Sequence, residues 1–195
     1  SWKITKTDGS AGFILNSTAL TYHTTQYETH SEFLSELLRG LEAVHKVVGL
    51  DHITRLGLRY LNAVLPKKGE TVEQYIAGGL HGAPFDARRR YTLSESVLDT
   101  ESAPLINTGT LIARTIRANH QLGFPPDIAT PNLVLLERFR DVETMDHAII
   151  DIDHFVEGLM PVEKTKVLEQ LNSLHATLKE VFRAMVTKKA IEVWS

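Results

Sequence analysis

The residues with the clearest chemical potential lie in two short stretches. In Arg55-Leu56-Gly57-Leu58-Arg59-Tyr60-Leu61-Asn62 the pattern is that of a strand. Strand side chains repeat every second residue, so Arg55 and Arg59 share a face. Gly57 lies between them and leaves room for a close approach. Two guanidinium forks on one face can hold a phosphate or a carboxylate. Tyr60 and Asn62 join them as candidate ligand contacts. The second stretch is Asp151-Ile152-Asp153-His154. Asp151 and Asp153 share a face and can ligate a hard divalent ion, while His154 points the other way. A simpler reading explains both stretches with one contact: if the two strands are neighbours, the aspartates pair with the arginines.

A third basic group has a different use. Arg88 and Arg90 open a strand, and Arg114 and Arg117 lie on its expected hairpin partner. Together they form the best candidate for a polyanion or nucleic-acid patch. Only Tyr91 and Phe85 are near enough to stack on bases, and a solvated sheet face accounts for the same residues. His175 falls on the apolar stripe of the last helix, where a histidine is usually a satisfied core residue. The nine histidines contain no H-E-x-x-H spacing, the glycines form no phosphate loop, and there is no G-x-S-x-G elbow. No catalytic constellation and no cofactor are indicated.

The elements that must position these groups follow from periodicity. Residues 2–27 read as strands with a turn at Asp8-Gly9. Thr29 and Glu32 have capping-box spacing. The apolar residues that follow, from Phe33 to Val48, recur on one helical face, and Gly49 supplies a stop. Ile53–Leu65 is a long strand ended by Pro66, and Thr71 with Gln74 caps a short helix. Arg88–Val97 and Thr110–Ala118 alternate like strands, and a turn over Pro104–Gly109 between them makes the two a hairpin. Leu133–Phe139 and His147–Phe155 are two more expected strands. A helix of about 25 residues opens at Pro161, spans about 35–40 Å and lies across a sheet. The fold class is α+β: one curved, mainly antiparallel sheet of six or seven strands, with both long helices on one face.

Composition limits the function. The 195 residues carry a net charge of −3, 43% hydrophobic residues and no cysteine. One domain over residues 1–195 is expected. A basic nucleic-acid binder, a disulfide scaffold and a thiolate metal site are disfavoured. No apolar run reaches membrane-spanning length, and a cytoplasmic location is expected. The opening Ser1-Trp2, without an initiator methionine, suggests a preceding segment.

At the R-x-G-L-R-Y-x-N strand the chain resembles a sporadically distributed family of uncharacterised bacterial and archaeal proteins. The matching features are Trp2, Tyr27 and Phe33, then Arg55, Gly57, Leu58, Arg59, Tyr60 and Asn62. Asp151-Ile152-Asp153, Leu174-His175, Phe182, Thr187 and Trp194 follow. The resemblance implies no particular activity; its patchy distribution implies mobile or defence-related genes. The leading expectation is a non-catalytic ligand-binding or protein-interaction module, with a protein partner or a second copy as occupant. The alternatives are a metal-dependent enzyme on a phosphorylated or nucleic-acid substrate, and a nucleic-acid binder.

Overall fold

A computed structural model describes residues 1–85, 89–125, 127–128, 133–140 and 144–194. Among the described residues there are seven strands, all antiparallel to their neighbours, in two sheets where the sequence suggests one. Strands β1 (Trp2–Thr5), β2 (Ala11–Leu15) and β3 (Leu20–Thr24) form a short meander. Strands β4 (Ile53–Val64), β5 (Tyr91–Glu101), β6 (Thr108–His120) and β7 (Met145–Met160) form the main sheet, in the order β4-β7-β6-β5.

The first helix, α1 (His30–Val48), starts and stops where local chemistry dictates. Thr29 is extended, and its hydroxyl accepts the Glu32 N–H at 3.2 Å. The Glu32 carboxylate accepts that hydroxyl's proton, rather than closing the box on the Thr29 backbone. Gly49 ends the helix in the left-handed region at φ 67°, where a Cβ would be strained. Leu34 and Leu38 are buried against the main sheet. On its other side α1 meets the meander so closely that a Cβ at Gly40 would sit 2.4 Å from the Phe13 ring. Phe13, Tyr22, Phe33 and Tyr60 then run ring to ring at centroid separations of 4.9, 5.2 and 6.2 Å. This aromatic series ties the small sheet to the large one.

Helix α3 (Lys164–Met185) has 22 residues and lays Val167, Leu171, Leu174 and Leu178 on the main sheet. There they meet Leu58, Ile150, Ile152 and Val156, the alternate residues of β4 and β7. Helix α4 (Lys188–Trp194) follows, with Trp194 beside Tyr75 and Phe182. The expected strand at Leu133–Phe139 is not one. Among its described residues, Glu137–Arg140 form the single helical turn α2. A short apolar run does not by itself distinguish the two periodicities. No helix among the described residues is long and apolar enough to cross a membrane.

Candidate functional site

Strand alternation divides the main sheet into a face covered by α1 and α3 and an opposite face. Arg55 and Arg59 lie on the second of these, and β7 is their neighbour. Arg59 is opposite Asp153, and Arg55 is opposite Glu157. Arg59 donates from Nε to Asp151 Oδ1 and from Nη2 to Asp151 Oδ2, both at 2.7 Å. The same guanidinium donates to Asp127 at 2.8 Å from Nη1 and at 3.3 Å from Nη2. The Asp151 side chain is wholly buried, and that of Arg59 is 22% exposed. Arg114 approaches Asp151 at 3.5 Å and donates from Nε to Glu95 at 2.5 Å. Arg55 is 3.5 Å from Asp153 and 3.7 Å from Glu157, with its guanidinium over the Phe155 ring at 4.0 Å.

The electrostatics follow from this crowding. Three guanidinium groups, of Arg55, Arg59 and Arg114, meet five carboxylates, of Glu95, Asp127, Asp151, Asp153 and Glu157. The cluster therefore has an acidic excess, which opposes binding of a further anion. Burial pushes the Asp153 carboxyl up, against the pull of Arg55 and Arg59. The hydrogen bond from Arg59 holds Asp127 below the usual carboxylate range. Asp151, one of the two candidate metal ligands, has both oxygens engaged by Arg59. Among the described residues no group of three or more histidines, aspartates or glutamates is placed to hold a metal. The space beside Gly57 is taken by its cross-strand neighbour, since an added Cβ would meet Phe155 at 2.8 Å.

Tyr60 and Asn62 lie on the helix-covered face and do not join Arg55 and Arg59. Asn62 is half-buried opposite Ile150. Tyr60 is within hydrogen-bonding reach of His30 Nδ1 at 3.2 Å and of the Tyr27 hydroxyl at 3.4 Å. Burial raises the Tyr60 phenol well above its ordinary value. His30 also meets Asn172 Oδ1 at 3.1 Å, and its ring stacks on His175 at 3.5 Å. His175 is thus half of an interhelical imidazole pair. Desolvation, with His30 and Lys179 nearby, pulls it down to about 4.

The third basic group is dispersed. Arg88 lies outside the described residues. Arg90 is exposed in the approach to β5. Arg114 belongs to the network above. Arg117 is buried on the opposite face, donating to Asp146 from Nε at 3.2 Å and from Nη2 at 2.5 Å, and to Glu73 from Nη1. Two open depressions of about 380 and 310 Å³ lie elsewhere, one along Pro66–Val72 and one between Tyr22 and Glu36. Neither contains an arginine of these clusters.

No family model, curated protein or solved structure matches this chain. Beside the paired charges, the β5–β6 hairpin leaves several apolar side chains exposed. Tyr91, Leu93 and Val97 are 58%, 48% and 61% exposed, and Leu98 on the opposite face is 47% exposed. One row across the sheet reads Val97, Ile112, Asp153, Arg59; the next reads Glu95, Arg114, Asp151, Leu61. Val97 and Ile112 thus carry the row of Asp153 and Arg59 out to the sheet edge, beside the ion pair of Glu95 and Arg114. Spacing alone identifies Arg55, Arg59, Asp151 and Asp153. It gives no signal for Asp127, which arrives from a loop distant in sequence. Glu95 becomes readable only once the hairpin register sets it opposite Arg114.

Proposed function

We propose that the protein is a non-catalytic protein-interaction module whose binding surface is the outer part of the β5–β6 hairpin. The observation that carries this reading is the exposed row of Tyr91, Leu93 and Val97 on a long, regular strand at the edge of the main sheet. Exposed apolar side chains grouped on a rigid element mark interaction sites; Glu95, between Leu93 and Val97, is paired with Arg114. The arginine–carboxylate network lies beside the hairpin on the same face: each of its carboxylates has an arginine partner, so it stiffens the sheet and leaves none of its arginines free for an anionic ligand. The resemblance to the sporadically distributed bacterial and archaeal family belongs to the same proposal, resting on the R-x-G-L-R-Y-x-N strand.

The test is selection from a random peptide library, with a Leu93→Lys/Val97→Lys double variant as counter-target. Both side chains are largely exposed, so each substitution should change stability by only about 0.5 kcal/mol. Peptides retained by the natural protein and lost on the double variant are the expected result. A selection that yields only peptides indifferent to the double variant overturns the hairpin as the binding surface.

A further inference from the structure

The outer edge of β5 has the properties of a docking strand. The Ser102 N–H bonds to the Asn107 carbonyl, and the Asn119 N–H bonds to the Arg90 carbonyl. These two bonds set the alternation of the β5–β6 ladder, in which even-numbered residues of β5 face β6. The N–H and C=O groups of Tyr91, Leu93, Glu95, Val97, Asp99 and Glu101 therefore point away from β6. Among the described residues no backbone group bonds to them. Natural edge strands are usually blunted by charged side chains, above all lysine, or by proline, a bulge or short length; the charges on β5 are all acidic, at Glu95, Asp99 and Glu101. Strand β5 has 11 residues, contains no lysine, arginine, proline or glycine, and pairs with β6 without a register shift.

The side chains on that edge specify the occupant's chemistry. Glu95 is neutralised by Arg114, whereas Asp99 and Glu101 have no ion-pair partner among the described residues. The outer face thus reads apolar at Tyr91, Leu93 and Val97, then acidic at Asp99 and Glu101. A second copy of the same strand fits poorly. In an antiparallel pairing of two β5 strands, no cation within the strand is available to face either carboxylate, and like charges directly opposite are destabilising.

We propose, resting on the interaction-module reading above, that β5 takes an extended segment of a partner protein as a fifth, antiparallel strand. The segment carries lysine or arginine at two alternate positions near its N-terminal end, opposite Glu101 and Asp99. Apolar residues follow at the alternate positions that face Val97, Leu93 and Tyr91. Main-chain hydrogen bonds supply the affinity of such strand addition, and the alternate side chains supply specificity. The polarity follows from the antiparallel sense: a strand running against β5 meets Glu101 first.

The test uses a synthetic peptide of that pattern, with two lysines at alternate positions followed by valines and a tyrosine separated by threonines. Two controls accompany it: the same residues in reverse order, and the same peptide N-methylated at the amides that face β5. Binding is measured by fluorescence anisotropy and by hydrogen exchange of the odd-numbered amides of β5. The expected result is binding of the first peptide with slowed exchange, its loss on N-methylation, and weaker binding of the reversed peptide. An Asp99→Lys/Glu101→Lys variant should weaken binding by roughly ten-fold, because two cross-strand attractions become repulsions. Binding that survives N-methylation or charge reversal but disappears in the Leu93→Lys/Val97→Lys variant overturns strand addition and leaves the interaction module standing. So does a first peptide that fails to bind while the library yields hairpin-dependent peptides of another pattern. Sedimentation showing a dimer that the double variant abolishes replaces the partner segment with a second copy. Failure of every peptide, library-derived ones included, to depend on the hairpin removes both readings.

Discussion

Replacing Arg59 by methionine separates a structural ion pair from a ligand clamp. The Asp151 side chain has no solvent exposure, and Arg59 binds both of its oxygens at 2.7 Å. The nearest remaining cation would be Arg114 at 3.5 Å, already committed to Glu95. Stranding a buried charge by removing its partner costs about 3–5 kcal/mol. For a domain of this size that lowers the thermal midpoint by roughly 6–20 °C. Removing the aspartate as well should return much of the loss, because a buried pair replaced by apolar groups is often nearly neutral. The assay is urea unfolding followed by circular dichroism on Arg59→Met, Asp151→Leu and the double variant, read as a double-mutant cycle. A cost for Arg59→Met below about 1 kcal/mol, the level of an exposed pair, would refute the reasoning. So would a coupling near zero. Either result would return Arg59 to the candidate anion site.

Two pH effects follow from the same kind of geometry. Burial works against the Glu73 carboxylate, but the hydrogen bond from Arg117 and further bonds pull it down to about 2. A carboxyl lowered in the folded state contributes stability that is present above its ordinary value near 4.5 and is lost as the pH falls toward 2. Glu73→Gln should flatten that decline in a series of unfolding curves from pH 5 to about 2; an unchanged decline would mean that other carboxylates carry it. His175 has the opposite charge behaviour. Its imidazole is pulled from 6.5 to about 4, so the unfolded chain binds the extra proton between those values and stability falls as the pH drops through that window. Nuclear magnetic resonance of the ring protons should place its titration midpoint near 4. A midpoint at or above 6.5 would exclude the packed stack with His30.

Much of the fold was legible because its signals are local. The capping residues and apolar stripe of α1 specify that helix whatever it packs against. Period-two alternation in β4 already separates Arg55 and Arg59 from Tyr60, and the stripe of α3 already announces a sheet beneath it. The failures occur where the signal is weak or non-local. Leu133–Phe139 is a short apolar run without a clear period, and Glu137–Arg140 take the helical turn instead. The division of the described strands into two sheets depends on which short strands find partners, and that depends on hydrogen bonds between distant segments. The candidate site has the same limit. Residue spacing places Asp151 and Asp153 on one face, yet only strand order places that face beside Arg55 and Arg59.

From the chain alone come the α+β class, the antiparallel strands, the two long helices and the face of each charged residue, since helix and strand periods are properties of the local backbone. Only the tertiary structure decided that β7 lies between β4 and β6, that Asp127 reaches Arg59, and that β5 ends the sheet with an open acidic and apolar edge. Those facts depend on contacts between residues tens of positions apart. The strand order, and with it the division between satisfied and open charges, is settled only when the whole sheet is assembled.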